Sequence, residues 1–246
     1  MIYDFKNALR IFKEQGLFGI ARKISLFGRF FVSLPGNRKK LEAQEIESLV
    51  DFAFTGYSGI IKPLQEKTEI LGLLKTIADK KPATVLEIGT AIGGNLFLFC
   101  SVARPDATII SLDLPGGKYG GGYPLWRKWL YRSFPKTCQR LFLVRANSHL
   151  EETRKKIAAI LKNREIDFLF IDGDHTYEGV KQDFNMYTPF VKKGGLIAFH
   201  DIAPHSSNDG CGVDRYWQEI KTRGPFMEFI RSWNQGWAGI GLIEKQ

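Results

Sequence analysis

The stretch TVLEIGTAIGGNLFLF, from Thr84 to Phe99, decides the fold. Its first part, Thr84 to Ile88, is an apolar run of the length typical of a buried strand. A glycine-containing turn follows, and an apolar helical stretch begins at Gly94. Glycines in such a turn let the chain bend tightly and let a ligand approach the backbone closely. This order predicts one unit of a parallel α/β sheet with a ligand site at the strand end.

The alternation of strands and helices continues towards the C-terminus. We predict strands at 84–88, 107–112, 140–144, 166–171 and 195–199, and helices at 94–103, 125–134, 151–162 and 177–187. Near-continuous apolar strands separated by helices indicate a parallel sheet that is covered on both faces. After a helix at 213–221, strands at 226–232 and 238–244 are joined by so short a turn that they must form an antiparallel hairpin.

The composition predicts a soluble globular protein. The chain has 246 residues, of which 44% are hydrophobic and 25% are charged, so it is long enough to build one sizeable core. No apolar run reaches the roughly 18 residues that a transmembrane helix needs, and no signal-peptide pattern is present, so we expect a cytoplasmic location. Cys100, Cys138 and Cys211 are odd in number and widely spaced, which predicts free thiols.

The net charge of +9 is concentrated near the N-terminus, where residues 1–40 hold nine Lys and Arg residues against two acidic residues. Apolar residues recur between them at helical spacing, so we predict a basic amphipathic helical extension at 1–62 and a separate domain at 63–246. The extension either makes peripheral contact with an anionic membrane surface, or caps the core or covers the interface of a homo-oligomer. No Asn/Asp-Pro-Pro-aromatic motif follows the fourth strand, and we predict no nucleic-acid partner.

The first three strand ends predict a nucleoside-binding cleft. The first, LEIGTAIGG, lacks the GxGxxG spacing of a pyrophosphate site, so its loop suits a nucleoside without phosphates. Asp113 ends the second strand 26 residues after Glu87, where an acidic residue typically accepts hydrogen bonds from ribose hydroxyls. The third strand ends in RANSH, where Asn147 or Ser148 either contacts an adenine edge or serves a turn.

The fourth and fifth strand ends carry the groups that predict a cation site. Asp172 lies in FLFIDGDHTYEGV, and His200 and Asp201 lie in IAFHDI. Neighbouring parallel strands end at the same edge of a sheet, so these groups are expected to converge with room for water and substrate oxygens, as in Mg²⁺ sites. Oxygen and nitrogen ligands also suit manganese or another transition metal. The alternative is that each polar residue only caps the following helix.

Taken together, Glu87-x-Gly89-x-x-x-Gly93, Asp113, FIDGDHTYEGVKQD and GGLIAFHDI resemble class I S-adenosylmethionine-dependent methyltransferases. More narrowly, residues 63–246 resemble the metal-dependent O-methyltransferases of macrolide sugars and related natural products, and the cephalosporin-hydroxylase-like proteins. The resemblance implies a Rossmann-like, doubly wound α/β fold with N-terminal helices. Its seven-stranded sheet would be mostly parallel, with an antiparallel C-terminal hairpin strand.

The resemblance also implies roles for individual residues. Glu87, Gly89 and Asp113 are implied to bind the methyl donor, and Asp172, His200 and Asp201 are implied to bind metal. We also predict that the donor site includes Thr90, Gly93, Asn147, Ser148 and Asp172. His175 falls where some sugar O-methyltransferases place a general base, and Asp174 falls where others use a carboxylate. His200 stands where metal-binding relatives usually carry an acidic residue, which implies a weaker site for a hard cation or a different metal preference.

We therefore predict an S-adenosylmethionine-dependent O-methyltransferase, assisted by a divalent metal, with Mg²⁺ as the first choice. Its acceptor would be a hydroxyl of a sugar, a glycan or another small natural product, and His175 would accept the hydroxyl proton. His205 is an alternative ligand or base. Two other functions stay open: a donor-binding scaffold without methyl transfer, and a nicotinamide-dependent oxidoreductase, against which the missing GxGxxG argues.

Overall fold

The computed structural model describes residues 44–56, 59–116, 122–205 and 210–246, together with Ser25. Its strands are β1 Thr84–Ile88, β2 Thr108–Asp113, β3 Arg140–Arg145, β4 Ile166–Ile171, β5 Val191–His200, β6 Phe226–Phe229 and β7 Ile240–Glu244. The α-helices are α1 Ile46–Thr55, α2 Lys67–Lys80, α3 Gly94–Val102, α4 Arg127–Tyr131, α5 Glu151–Leu161, α6 Tyr177–Tyr187 and α7 Val213–Ile220. Short 3₁₀ helices cover Thr188–Phe190 and Lys221–Arg223.

The predicted sheet is confirmed. Within the described residues, seven strands form one sheet in the order β3-β2-β1-β4-β5-β7-β6. Strands β1 to β5 pair in parallel, whereas β7 is antiparallel to both β5 and β6. The strand order reverses between β1 and β4, and in such sheets a ligand crevice opens at the carboxyl ends beside that reversal.

Several elements begin or end away from their predicted positions. Strand β5 begins at Val191 rather than Gly195, because Val191 pairs with Ile166 across a register irregularity. Strand β6 ends at Phe229, and the N–H of Arg231 instead donates to the carboxylate of Glu69. The helix predicted at 125–134 is reduced to α4, while β1, β4 and α6 match their predicted bounds.

The sheet separates two buried layers of side chains. One contains apolar residues of α1, α2 and α3 and includes Val85 of β1, and the other contains residues of α5, α6 and α7 and includes Leu86 of β1. Neighbouring residues of a strand point to opposite faces, so this division explains why β1 is buried along its whole length. Both faces of the strand that carries the glycine turn are therefore fixed by packing.

The described part of the predicted N-terminal extension packs against the sheet domain. Leu49, Val50 and Ala53 of α1, together with Ile61, lie in the same buried cluster as Val85. Residues 1–24 and 26–43, which carry the predicted basic amphipathic helices, lie outside the described residues, and the boundary at 62/63 stays a prediction. Among the described helices, none combines the length and apolar character needed to cross a bilayer.

Candidate active site

The turn after β1 is held against the end of β4. The N–H of Gly89 donates to the carbonyl oxygen of Leu112 at 2.9 Å, and the N–H of Asp172 donates to that of Ile88 at 2.8 Å. Gly89 has φ +90°, and a Cβ atom there would lie 1.9 Å from the carbonyl oxygen of Asp172. Only glycine fits this position, so the glycine that the sequence places in a ligand turn also brings β1 and β4 together.

Glu87 is fully buried beneath this turn. The hydroxyl of Thr90 donates to Oε2 of Glu87 at 2.9 Å and lies 2.6 Å from the hydroxyl of Ser111. Burial raises the pKa of Glu87 well above its usual range, against the hydrogen bond from Thr90, which lowers it. Among the described residues, Thr90 lines the cleft and Glu87 does not, so donor binding by Glu87 stays a prediction.

Asp113, at the end of β2, presents a carboxylate to the cleft. Its Oδ1 atom accepts from the N–H of Gly122 at 3.0 Å, while Oδ2 is buried and makes no hydrogen bond within the described residues. Burial raises the pKa of Asp113 to about 6, against backbone N–H groups that lower it, beginning with that of Gly122. An acceptor oxygen without a protein donor is what a ribose hydroxyl requires at this position.

The loop after β3 uses its polar side chains mainly for its own structure. Oδ1 of Asn147 accepts from the N–H of His149 at 2.9 Å, and the carbonyl of Ser148 accepts from the hydroxyl of Tyr187 at 2.7 Å. Nε2 of His149 lies 3.3 Å from Oδ1 of Asp183, and this interaction raises the pKa of His149. Asn147 and Ser148 both line the cleft, but the Asn147 amide oxygen serves a turn, and adenine contact stays a prediction.

The ends of β4 and β5 bring the three residues predicted to bind metal together. One ligand atom from each of Asp172, His200 and Asp201 lies within 4.8 Å of the others. Nδ1 of His200 lies 3.2 Å from Oδ1 of Asp172 and 3.3 Å from Oδ1 of Asp201. His200 is 4% exposed, and neither ring nitrogen makes a hydrogen bond of good geometry within the described residues. Two oxygen donors and one nitrogen donor therefore surround one point at the cleft.

His175 lies in this cluster, whereas Asp174 faces the start of α6. Nδ1 of His175 is 2.9 Å from Oδ2 of Asp201, and Nε2 is 3.5 Å from Oδ1 of Asp172. Oδ1 of Asp174 accepts from the N–H of Thr176 at 2.9 Å, which organises the helix N-terminus. Both residues line the cleft, but only the imidazole contacts the metal-ligand carboxylates that the sequence predicts.

The imidazoles and carboxyls of this cluster shift one another's pKa values. Burial opposes the imidazolium form of His175, but hydrogen bonds to Asp172 and Asp201 raise its pKa to about 10. Burial also opposes ionisation of the two carboxyls, but the neighbouring imidazoles, led by His200, lower the pKa of Asp172 and bring that of Asp201 well below its usual range. The carboxylates thus hold positive charge at this point, as a protonated imidazole or as a cation.

Two contacts to the cluster come from segments that sequence reasoning did not single out. Nε2 of Gln65, in the loop between α1 and α2, donates to Oδ2 of Asp172 at 2.7 Å. The N–H of Ala238, just before β7, donates to Oδ1 of Asp201 at 3.1 Å. Asp201 itself has φ +65°, a conformation that costs a non-glycine residue free energy, and the hydrogen bond from Ala238 helps to offset that cost. Gln65 lies in a loop, and Ala238 begins the predicted strand 238–244 rather than ending one, so no pattern in the sequence marked either residue for the site.

A second group lies on the other side of Asp201. Nε2 of His205 is 3.3 Å from Oδ1 of Asp201, and Cys211 completes a possible His, Cys and Asp ligand set. Interaction with Asp201 and then with Cys211 raises the pKa of His205 to about 10. Neither His205 nor Cys211 is among the described residues that line the cleft. A role of His205 as a base at the cleft therefore has no support from this geometry, whereas its role as an alternative ligand stays a prediction.

These residues surround a cleft of about 660 Å³ at the carboxyl edge of the sheet. The glycine turn and Asp113 line it together with Asp172, His175, His200 and Asp201. Phe54, Leu64 and Trp237 add apolar surface. Such a volume is typical of a site for a cofactor or small molecule.

Comparison with known families identifies the part of the chain that forms this cleft. Residues 86–202 match the family Methyltransf_24, described as a methyltransferase domain. Residues 86–202 form a methyltransferase domain with the class I fold. The predicted family and the predicted fold are thereby confirmed. The match begins within β1 and ends just after Asp201, so it includes every strand end described above.

Curated relatives match the methyltransferase domain over part of their length. The chain is 28% identical over 152 residues to the uncharacterized protein y4gI of Sinorhizobium fredii, covering 61% of this chain and 16% of that protein. It is 33% identical over 138 residues to the uncharacterized protein R132 of Acanthamoeba polyphaga mimivirus, covering 54% of this chain and 57% of that protein. The chain thus spans less than two thirds of the length of these relatives.

Solved structures share the fold of the methyltransferase domain at low sequence identity. An O-methyltransferase from Bacillus cereus in complex with SAH has a TM-score of 0.54 and 16% identity, covering 81% of this chain and 90% of that one. The MycE methyltransferase of the mycinamycin biosynthetic pathway, in complex with Mg, SAH and mycinamycin VI, has a TM-score of 0.50 and 17% identity. That match covers 82% of this chain and 54% of MycE.

Proposed function

We propose that the chain is an O-methyltransferase that transfers the methyl group of S-adenosylmethionine to a hydroxyl of a sugar, a glycan or another small natural product. A divalent cation would assist the transfer. The observation that carries this proposal is the position of His175 beside Asp172 and Asp201, in a cleft that also contains Asp113. A candidate base, a candidate cation site and a candidate donor site thus share one cavity.

The donor side of the proposal is supported by the residues of the cleft. The glycine turn lines the cleft, and Oδ2 of Asp113 is a buried acceptor without a well-formed hydrogen bond among the described residues. The Bacillus cereus structure, described as a complex with SAH, supports the same cofactor class. A nicotinamide cofactor, the predicted alternative, has no comparable support because the domain matches a methyltransferase family.

The acceptor hydroxyl must lose a proton, because its own pKa lies far above 7. His175 suits this role, since Asp201 contacts Nδ1, orients the ring and stabilises the imidazolium that forms. Nε2, which lies 3.5 Å from Oδ1 of Asp172, would accept the proton once a cation engages that carboxylate. A divalent cation held by Asp172, His200 and Asp201 would stabilise the developing alkoxide and offset the carboxylate charge that raises the pKa of His175. The MycE complex, which contains Mg, supports such a cation. The cleft would place the oxygen in line with the methyl group.

The test is methyl transfer by the purified full chain. The chain is incubated with S-adenosylmethionine carrying an isotopically labelled methyl group, a panel of hydroxylated sugars and aromatic alcohols, and one divalent metal at a time. We expect the label on an acceptor oxygen, detected by mass spectrometry, and its loss in His175→Gln. Donor binding by calorimetry without transfer to any acceptor would instead favour the predicted scaffold role. Thermal stabilisation by NAD but not by S-adenosylmethionine would contradict the proposal.

A further inference from the structure

We infer that the cation site formed by Asp172, His200 and Asp201 prefers a transition-metal ion of the Zn²⁺ or Co²⁺ class to Mg²⁺, and that His200 sets this preference. The inference rests on the metal-assisted form of the proposed function. It concerns which ion binds, and its test needs no methyl transfer.

Histidine is concentrated around this site. The chain has only four histidines, and three of them, His175, His200 and His205, place a ring nitrogen within 3.5 Å of a carboxylate oxygen of Asp172 or Asp201. The fourth, His149, instead pairs with Asp183. A cation bound between these two carboxylates would therefore be surrounded by imidazole nitrogens as well as by oxygens.

The buried ring of His200 gives the clearest sign that a bonding partner is missing at this point. Its ring is buried, and neither nitrogen has a well-formed hydrogen bond within the described residues, although Nδ1 lies between oxygens of Asp172 and Asp201. A buried polar group without a partner is costly, and native structures usually provide one. A metal ion between the carboxylates would supply that partner to Nδ1.

The chemistry of the donors decides which ion suits the site. Mg²⁺ takes oxygen ligands and keeps several waters, whereas imidazole suits zinc, iron, copper and nickel. An acidic residue at position 200 would complete an oxygen site with Asp172 and Asp201. His200 replaces that third carboxylate with a nitrogen and removes one negative charge, which weakens binding of a hard cation more than binding of a borderline one.

Metal binding is measured on the full chain after chelation of bound metal, by equilibrium dialysis with Co²⁺, Zn²⁺ and Mg²⁺ singly and in competition. We expect His200→Asp and His200→Glu to reduce the preference for Co²⁺ over Mg²⁺ by at least about tenfold, the size typical of changes at metal sites. His149→Gln, which alters the one histidine outside the cluster, should keep the wild-type preference. An unchanged preference in both folded His200 variants would overturn the inference.

A spectroscopic measurement covers the case in which the His200 variants do not fold. Pulsed electron paramagnetic resonance of the wild-type chain with Mn²⁺ should detect a directly coordinated histidine nitrogen, and its absence would contradict the inference. With Co²⁺, an intense thiolate charge-transfer band that disappears in Cys211→Ser would place the ion in the Asp201, His205 and Cys211 group instead, which also overturns the assignment. Calorimetric binding of S-adenosylmethionine in the same samples separates failure of this inference from failure of the proposed function.

Discussion

Nδ1 of His175 lies 2.9 Å from Oδ2 of Asp201, although helix α6 and strand β5 separate the two residues along the chain. The contact joins the end of β4 to the end of β5, which pair in parallel from Phe168 and Leu196 onwards. The sheet register therefore fixes the orientation of the imidazole. Its other nitrogen, Nε2, lies 3.5 Å from Oδ1 of Asp172, so the ring bridges the two strand ends.

The first prediction distinguishes the two candidate bases. His175→Gln should lower the rate constant of methyl transfer by about 10²- to 10⁴-fold, the usual contribution of a general base, while donor affinity measured by calorimetry stays near the wild-type value. Asp174→Asn keeps an oxygen that can accept from the N–H of Thr176 and should retain most of the activity. A larger loss in Asp174→Asn than in His175→Gln would assign the base to Asp174.

The second prediction concerns the pH dependence of donor binding. The pKa of Asp113 is raised to about 6 by burial, so its carboxylate gains its charge between pH 5 and pH 7. An ionised carboxylate accepts stronger hydrogen bonds from ribose hydroxyls than a protonated one. The affinity for S-adenosylmethionine should therefore rise with pH across this range. Calorimetric titrations of Asp113→Asn should show weaker binding and a flatter pH profile, and a wild-type slope in this variant would contradict the role.

The same carboxyl makes an opposite contribution to the stability of the donor-free chain. Its pKa in the folded state lies above the ordinary value of 3.8, so the folded state holds this proton more tightly than the unfolded state. The contribution of Asp113 to the free energy of unfolding is fully present below about pH 4 and is lost as pH rises through about 6. Asp113→Asn should therefore raise the free energy of unfolding more at pH 7.5 than at pH 4.5, as measured by urea denaturation at both values.

The strand ends could be predicted because the sheet is buried on both faces. Largely apolar runs mark β1 and β4, and the polar residue that directly follows such a run must lie at the edge of the sheet, as Asp172 does. Gln65 could not be predicted in this way. Its loop has no periodicity, and its contact with Asp172 depends on how α1 and α2 pack on the domain. The turn role of Asn147 likewise depends on local backbone geometry.

The third prediction tests the close approach of β1 to β4. Gly89→Ala would place a Cβ atom 1.9 Å from the carbonyl oxygen of Asp172, at φ +90°. We expect a loss of about 3 kcal/mol or more in the free energy of unfolding, because backbone strain and a clash with backbone act together. Gly194→Ala is the matched control, since Gly194 has φ +72° and nothing lies within 4 Å of its added Cβ. It should show only the conformational cost, about 1 kcal/mol.

Urea denaturation of both glycine variants gives the comparison directly. If Gly89→Ala and Gly194→Ala lowered the free energy of unfolding equally, the turn after β1 would accommodate the added Cβ atom. Contact with β4 would then not restrict residue 89 to glycine. A folded Gly89→Ala chain should also bind S-adenosylmethionine more weakly, because the displaced turn moves towards the cleft.

The fourth prediction concerns Glu69 of α2, which is buried and binds the segment that leads into β7. Its Oε1 atom accepts from the N–H of Arg231 at 3.0 Å and from the side-chain amide of Gln235 at 2.7 Å, and Oε2 accepts from the N–H of Gly239 at 2.8 Å. Glu69→Gln replaces one acceptor oxygen with a donor and leaves at least one of these N–H groups without its partner. The free energy of unfolding should fall by about 1 to 3 kcal/mol in urea denaturation.

The effect of Glu69→Gln should extend to the candidate cation site. Ala238, next to Gly239 in this segment, donates its N–H to Asp201, so loosening the segment frees a carboxylate that is predicted to bind metal. Metal affinity in equilibrium dialysis should fall at temperatures where the variant is fully folded. Glu66→Gln is the control, because Glu66 lies in the preceding turn and, among the described residues, its side chain contacts this segment through a 3.9 Å ion pair with Arg231. If both variants bound metal equally well, Glu69 would stabilise the fold without positioning Asp201.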